Sequence, residues 1–550
     1  MLKRNKMCPI CYFRRALIGA PSVDRPSAAP YENGSGDTPL MGWSSWNTFR
    51  NNIDAKLIED TAAAMKENGL LDAGYRYVNL DDNWHSNMRD AHGDMQGELV
   101  RFPDGIPALV RRLNEMGFKA GIYSSNGTLT CEDLPASLGR ERDDARTFAR
   151  WGMEYLKYDF CHNIPVPRYA PLVYGIEISP LGSGKAVEYQ VSNCILKGLA
   201  RRRKCDALPG GQYVSGLDEG KGSIVFDNVV VDADGEYVLT VEIKKYGRYE
   251  KYLAVTVNGR ECGGIEFPPQ KHFNLTARFQ TVVRLNAGRN AIELGNPVAN
   301  SRDSAAIQYR KMAYALKDAA AEVAAERGEE VKPIRFSICE WGFRKPWLWG
   351  ASAGNMWRTT PDIRPWWYWI KTIYSRNVKL WKYASPGHFN DPDMLEVGNG
   401  KLTYNQNLSH FALWCMMSAP LVLGNDIRKI TKPVLDIVAN RELIAIDQDP
   451  LGKQAKRIRR GAVDVLARPL ADGGIAVCFF NKTKIAQKRR LDIAKLYRDD
   501  YVSPATAGNT ATSVGVIGEV MSIIAGDAAI EGNKIVARIP ADGIVVVKIK

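Results

Sequence analysis

The sequence predicts an α/β protein: a (β/α)8 TIM barrel interrupted by an inserted β-sandwich and followed by a C-terminal antiparallel β domain. Three observations predict it. Short β-like runs alternate with amphipathic helical stretches over residues 39–163 and again after residue 307. Several of those runs stop at carboxylates or other polar residues, as strands do at the catalytic face of a barrel. Between the two halves the texture changes to alternating strands punctuated by Gly and Asn turns.

Taken in order, residues 41–46 read as the first strand and residues 57–68 as a helix with apolar residues at helical spacing. Residues 75–80 form a strand that stops at Asp81 and Asp82. A helix over 106–116 precedes a strand over 118–123, and a helix over 143–151 precedes a strand over 154–158 that ends in Asp159. After the interruption an Ala-rich helix over 309–326 leads to a strand over 333–339, closed by Glu340. Further strands are expected at 356–360 before Asp362, at 388–390 before Asp391 and Asp393, and at 420–424 before Asn425 and Asp426, which brings the count to eight. The insert carries alternating runs at 223–226, 235–241, 252–259 and 291–294, and the C-terminal part carries them at 474–480 and 543–548.

The resulting division is an N-terminal extension over 1–37, barrel over 38–164, insert over 165–306, barrel over 307–454 and β domain over 455–550. A chain of 550 residues is too long for one ordinary core, so several domains are expected in any case. Pro, Ser, Gly and Asp dominate residues 21–38, which predicts flexibility there.

A net charge of +13 is dilute over this length, and the basic clusters at 201–204 and 456–460 are short and come without a nucleic-acid-binding motif. They read as solvated surface, and nucleic-acid partners are not expected. No apolar run is long enough to span a bilayer, so no membrane partner is expected either. The apolar stretch that begins at Cys8 is broken at once by Arg14 and Arg15, so no secretory signal is evident, and a cytoplasmic location is expected with secretion as the alternative. Ten cysteines at irregular spacing make neither a disulfide scaffold nor a zinc framework, and the lone pair Cys8 and Cys11 lacks a matching second pair.

The carboxylates at the strand ends carry the chemistry. Retaining cleavage of a glycosidic bond needs one carboxyl to attack the anomeric carbon and another to protonate the leaving oxygen. Asp159 ends a strand with Lys157 two residues back on the same face, where an ammonium would keep it ionised, although a structural ion pair would look the same. Asp362 is flanked by Trp366, Trp367 and Trp369, an apolar wall that would raise its pKa as a general acid requires, although an aspartate after proline is also a common turn residue. Asp81 and Asp82, followed by Trp84, suit a hexose, whose hydroxyls pair with carboxylates and whose apolar face lies on an aromatic ring; a helix N-cap is the alternative.

The strings Met41 to Asn47 (MGWSSWN), Leu80 to Trp84 (LDDNW), Gly121 to Tyr123 (GIY), Leu156 to Asp159 (LKYD), Cys339 to Gly342 (CEWG), Asn390 to Leu395 (NDPDML) and Ala445 to Gly452 (AIDQDPLG) together resemble the successive motifs of glycoside hydrolase family 27. This family contains α-galactosidases, α-N-acetylgalactosaminidases and a few related exo-enzymes. The resemblance implies a retaining exo-glycosidase without a cofactor, releasing terminal α-galactose with Asp159 as nucleophile and Asp362 as acid/base. It further implies that Asp81 and Asp82 hold the 4- and 6-hydroxyls, Lys157 the 3- and 4-hydroxyls, and Glu340 with Arg358 the 2-hydroxyl. Trp46 would line the apolar face of the ring, Tyr123 would stand beside the reacting centre, and Asp393 and Met394 would close the wall.

Glu340 before Trp341 resembles the galactose-type pattern, in which a bulky carboxylate fills the space of an N-acetyl group, and Asp82 leaves room for a hydroxymethyl group. Both argue against the alternatives, an N-acetylgalactosaminidase or a β-L-arabinopyranosidase; a sugar-binding protein without activity is the rival from another class. Phe343 stands where the family varies. Cys131 and Cys161 match a family disulfide. The insert resembles the carbohydrate-binding modules of families 6 and 35, in which a structural calcium would implicate Glu188; a structural or dimer-forming role is the alternative. The partners expected are galactose-containing oligosaccharides or glycoconjugates, with a homo-oligomer compatible.

Overall fold

The computed structural model describes residues 29–182, 184–244, 249–269, 276–503 and 521–549. Cys8, Cys11 and most of the N-terminal extension lie outside the described residues. The chain divides into two compact units, one containing Pro165–Lys311, the other containing Ala28–Ile164 and Met312–Lys550.

Eight parallel strands make the barrel: β1 Met41–Ser44, β2 Tyr77–Asn79, β3 Lys119–Ser125, β4 Tyr155–Asp159, β5 Arg335–Ile338, β6 Met356–Arg358, β7 Phe389–Asp391 and β8 Leu421–Leu423. They pair in the order β7-β6-β5-β4-β3-β2-β1-β8. A parallel bridge between Leu395, just past β7, and Leu423 in β8 joins the two edges and closes the ring. β1, β2, β5, β6 and β8 are shorter than their apolar runs, because the last residues of those runs already turn into the loops that form the mouth.

Leu40, Tyr77, Tyr155, Met356, Phe389, Met394 and Val422 form one buried cluster drawn from the barrel strands and the residues beside them. Close packing between strands is visible at Gly121, where a Cβ would lie 1.9 Å from Asn79 Oδ1. The surrounding helices begin where their sequences supply caps. Asp54 accepts a hydrogen bond from Leu57 N to start Ala55–Glu67, and Thr403 with Gln406 forms a reciprocal capping box on Tyr404–Met416. Gly152, at φ 83°, ends Glu141–Trp151.

The Ala-rich helix begins earlier than its composition predicts. It runs Ser301–Arg327, because Asn300 Oδ1 accepts from Arg302 N (2.9 Å) and Asp303 N (3.2 Å) and so caps a polar first turn. The boundary between the two compact units lies inside this helix, at 311/312.

Within its own unit the insert is two antiparallel sheets over one core. One sheet orders Arg260–Phe267, Lys251–Val257, Gly288–Gly295, Gly222–Val231 and Ile195–Gly198. The other orders Thr276–Leu285, Gly235–Lys244, Leu172–Pro180, Gln212–Ser215 and Arg201–Lys204, with Val187–Gln190 added against Leu172–Pro180. Val173, Ile176, Leu239, Val241, Ile292 and Leu294 are among the side chains buried between them.

The C-terminal region pairs Lys456–Arg459, Val463–Pro469, Ile475–Asn481, Ile544–Ile549 and Met521–Ala525 in one antiparallel sheet and Gln487–Asp492, Lys534–Ile539 and Asp527–Glu531 in another. Among the described residues no helix is long and apolar enough to cross a membrane.

Candidate active site

The C-terminal ends of the barrel strands meet around one cavity. Trp46 follows β1, Asp81 and Asp82 follow β2, Tyr123 lies in β3, and Lys157 and Asp159 alternate within β4. Arg358 ends β6 with Asp362 four residues on, and Asp393 and Met394 follow β7. Every candidate for catalysis or sugar binding named from the sequence lines this cavity except Glu340 and Trp84, whose fully buried indole donates from Nε1 to Tyr123 O at 2.8 Å. Asn47, Arg50, Cys131, Cys339, Trp341, Ile363 and Arg364 line it too. Arg50, Asn83, Trp341 and Asp393 all hold positive φ (53°, 70°, 58° and 91°), so four of the loops after barrel strands carry left-handed non-glycine residues at or beside the mouth.

Asp159 is buried, and two donors hold it: Tyr123 Oη donates to Oδ2 at 3.0 Å and Phe160 N to Oδ1 at 2.9 Å. The Lys157 ammonium lowers it by charge, as expected, but its hydrogen bonds go elsewhere. The ammonium spans the carboxylate of Asp81 instead, at 3.1 Å to Oδ1 and 2.9 Å to Oδ2. Burial is the largest influence on Asp159 and raises its carboxyl above the ordinary aspartate value, against the pull of Lys157 and the Phe160 N–H; the charge of Asp362 adds to the rise.

Asp362 departs from expectation. Its side chain is 57% exposed and accepts a hydrogen bond from Arg358 Nη2 at 3.1 Å. The tryptophans build no apolar wall around it. Trp366 points to solvent, Trp367 packs edge-on against Phe480 with ring centroids 5.9 Å apart, and Trp369 Nε1 reaches only the main-chain oxygen of Asp362, at 2.8 Å. Partial burial raises its carboxyl, but Arg358, Lys157 and Arg364 outweigh that and hold it below the ordinary aspartate value.

The acidic pair is fixed by its surroundings. Asp81, 2% exposed, accepts from Ser44 Oγ at 3.0 Å while its own N–H donates to Ser45 Oγ at 3.1 Å. Asp82 accepts from Asn83 N at 2.8 Å and Glu132 N at 3.2 Å, and burial still pushes it up to about 7. Opposite them Arg358 Nη2 meets Asp393 Oδ2 at 2.7 Å. The same oxygen accepts from Ile363 N at 2.7 Å, which ties the loop after β6 to the loop after β7.

Glu340 faces away from the cavity. It is completely buried, accepts from Arg344 N at 2.7 Å with the Arg344 guanidinium 3.4 Å away, and is pushed by burial up to about 7. Its neighbours Cys339 and Trp341 line the cavity in its place. The reason is local. Trp341 and Gly342 both take positive φ, and a Cβ on Gly342 would lie 2.3 Å from Thr359 O, so the chain after β5 turns tightly against β6. Phe343 is exposed, its ring 6.2 Å from that of Trp341.

Cys131 and Cys161 form a disulfide, which fixes the loop after β3 to the residue two beyond Asp159. Glu188 lies on the exposed strand Val187–Gln190, opposite Glu177. Both nearby carboxylates, Glu177 and Glu242, are engaged by Arg278, and among the described residues no group of three acidic, His or Cys side chains surrounds Glu188.

Residues 38–175 and 306–449 match the protein family described as Melibiase_2, alpha galactosidase A. Alpha-galactosidase 2 of Arabidopsis thaliana is 31% identical over 452 residues, covering 82% of this chain and 77% of its own. Alpha-galactosidase A of Cellvibrio japonicus (strain Ueda107) is 30% identical over 478 residues, covering 85% of this chain and 81% of its own. The crystal structure of alpha-galactosidase I from Mortierella vinacea shares the fold with a TM-score of 0.62 at 24% identity, over 94% of this chain and 98% of that one.

Proposed function

The chain belongs to the alpha galactosidase A family, and from that membership we infer that its cavity removes terminal, non-reducing α-D-galactose from galactosides. The enzyme is a glycoside hydrolase, and two carboxyl groups are enough for both halves of a retaining reaction. Asp159 attacks the anomeric carbon as the bond to the aglycone breaks, and Asp362 delivers its proton to the departing oxygen. A β-galactosyl ester of Asp159 results. Water then gives a proton to Asp362 and attacks the same carbon, freeing Asp159 and releasing galactose with its α configuration retained.

The observation that carries this reading is the joint placement of Asp159 and Asp362 on one cavity, with Asp82 and the Lys157–Asp81 pair in the same lining. The surroundings shift both groups against the needs of the first step, since Asp159 is raised and Asp362 lowered. Substrate corrects both. A sugar over the exposed face of Asp362 strips it of water and raises it, while positive charge developing at the anomeric carbon favours ionised Asp159.

Asp81 and Asp82 take the 4- and 6-hydroxyls, Lys157 the 3- and 4-hydroxyls, and Arg358 the 2-hydroxyl, with Trp46 under the ring, Tyr123 beside the reacting carbon and Asp393 and Met394 on the wall. With Glu340 turned away, Cys339 and Trp341 bound the space beside the 2-position. The disulfide at Cys131 supports the secreted alternative over a cytoplasmic location, since such bonds persist in oxidising compartments.

Azide tests the assignment of roles. With an activated aryl α-galactoside, Asp159→Ala plus azide should yield β-galactosyl azide, because the ion enters where the carboxylate stood; Asp362→Ala plus azide should yield the α-azide. The opposite pairing of variant and anomer would reverse the two roles.

A further inference from the structure

Five carboxylates line the cavity, and four of them, Asp81, Asp82, Asp159 and Asp393, are buried to 6% exposure or less. Asp362 alone among the lining acids is open to solvent. Of the four lining cations, Lys157 is bound to Asp81 and Arg358 to Asp393 and Asp362. Arg50 and Arg364 are exposed, and among the described residues neither enters an ion pair. The reaction as derived uses neither of them.

Their position follows from the loops that carry them. Arg50 follows β1 and its guanidinium lies 5.2 Å from the centroid of the Trp46 ring. Arg364 stands two residues past Asp362, on the loop whose Ile363 N is anchored to Asp393. The ring order places β6, β7, β8 and β1 in succession, so both arginines stand on one arc of the mouth. Under that arc lies buried Glu396, held by Asn47 Nδ2 at 3.1 Å and Asn399 Nδ2 at 2.6 Å; both arginine charges reach it.

The leaving oxygen must meet Asp362, so the aglycone leaves across this arc. Once Asp362 carries the proton that it donates, the charges that an aglycone meets from the lining are two guanidinium groups and no exposed carboxylate. We propose that Arg50 and Arg364 form a subsite for an anionic group, a carboxylate or a sulfate, on the aglycone next to the scissile bond. The natural substrates are then α-galactosides of acidic saccharides or other acidic aglycones. Guanidinium suits either oxyanion through paired N–H donors. This inference rests on the galactosidase reading and narrows it.

The test compares 3-carboxyphenyl and 3-carbamoylphenyl α-D-galactosides, which share shape and differ in charge, with the 3-sulfophenyl galactoside as a third arm to separate carboxylate from sulfate. For the wild-type enzyme at low salt, kcat/KM should favour the carboxylate over the amide about tenfold, and the preference should shrink as sodium chloride is raised. In Arg50→Gln/Arg364→Gln the ratio should fall to about one, and Arg364→Glu should reverse it. The salt series needs no variant. Turnover of the amide by the wild-type enzyme with a ratio at or below one, or a ratio that the double variant leaves unchanged, overturns the subsite while the galactosidase reading stands. Failure to hydrolyse any of the three overturns that reading, and the subsite with it.

Discussion

Removal of Asp362 separates proton transfer from everything else the cavity does. In Asp362→Ala, Arg358 keeps its 2.7 Å contact with Asp393 and its 3.3 Å hydrogen bond to Thr360 O, so the walls stay in place. What disappears is a half-exposed carboxyl whose proposed role is to give and take a proton. General acid catalysis contributes about 10² to 10⁴ in rate, or roughly 2.7–5.4 kcal/mol. That loss should appear in full for an alkyl galactoside or a galactose disaccharide, whose oxygen cannot leave as an anion. A dinitrophenyl galactoside needs no proton, so its first step should lose less than about tenfold. Its second step lacks a base, so galactosyl-enzyme should accumulate: KM should fall and a burst of dinitrophenol should precede the steady state. Stopped-flow and steady-state kinetics over a series of leaving groups read both effects. A uniform loss across the series, with no burst, would refute the assignment of Asp362 and place its role in binding or structure.

Three further outcomes are expected. Lys157→Met removes the partner of a carboxylate that is 2% exposed, and breaking a buried pair costs about 3–5 kcal/mol; calorimetry should show a lower melting temperature, partly restored in Lys157→Met/Asp81→Asn, and an unchanged melting temperature would contradict the pairing. Because Asp159 lies above the ordinary aspartate value and Asp362 below it, the kcat/KM profile should have limbs on either side of that value, the basic one set by Asp159 and the acidic one by Asp362; coincident limbs would contradict it. Trp341→Ala should narrow the kcat/KM gap between aryl α-galactosides and α-N-acetylgalactosaminides by about tenfold or more while Glu340→Gln leaves it nearly unchanged, and the reverse result would return the 2-position to Glu340.

The barrel was legible because each strand is a short apolar run that stops at a polar residue, a pattern that parallel strands need in order to be buried on both faces yet open at one end. Lys157 and Asp159 were legible for the same reason, as period two places both inside. The partner of Lys157 was not, because it depends on how far the chain continues past β2 before Asp81 turns inward. Glu340 was placed at the 2-position by its motif alone, and the positive φ of Trp341, which turns the chain after β5, leaves no mark in the order of residues. The tryptophans after Asp362 look like an apolar wall in one dimension, but Trp367 is spent on Phe480 of the C-terminal β domain, a contact between residues more than a hundred positions apart. Arg50 and Arg364 gave no signal at all. They are exposed loop residues, and their meaning comes from which acids beside them are buried. Cys339 and Trp341 stood within a recognised motif and could have been found by asking which residues flank the glutamate on the inward face.

The proposed mechanism requires a covalent bond between Asp159 and the anomeric carbon of galactose. An α-galactoside bearing fluorine at the 2-position and an activated leaving group forms such an ester readily and hydrolyses it slowly, so the intact enzyme should gain the mass of one fluorogalactosyl group. Proteolysis and peptide sequencing should then locate that mass on Asp159. A label on Asp362 or Asp82, or hydrolysis with no covalent species under these conditions, would contradict it.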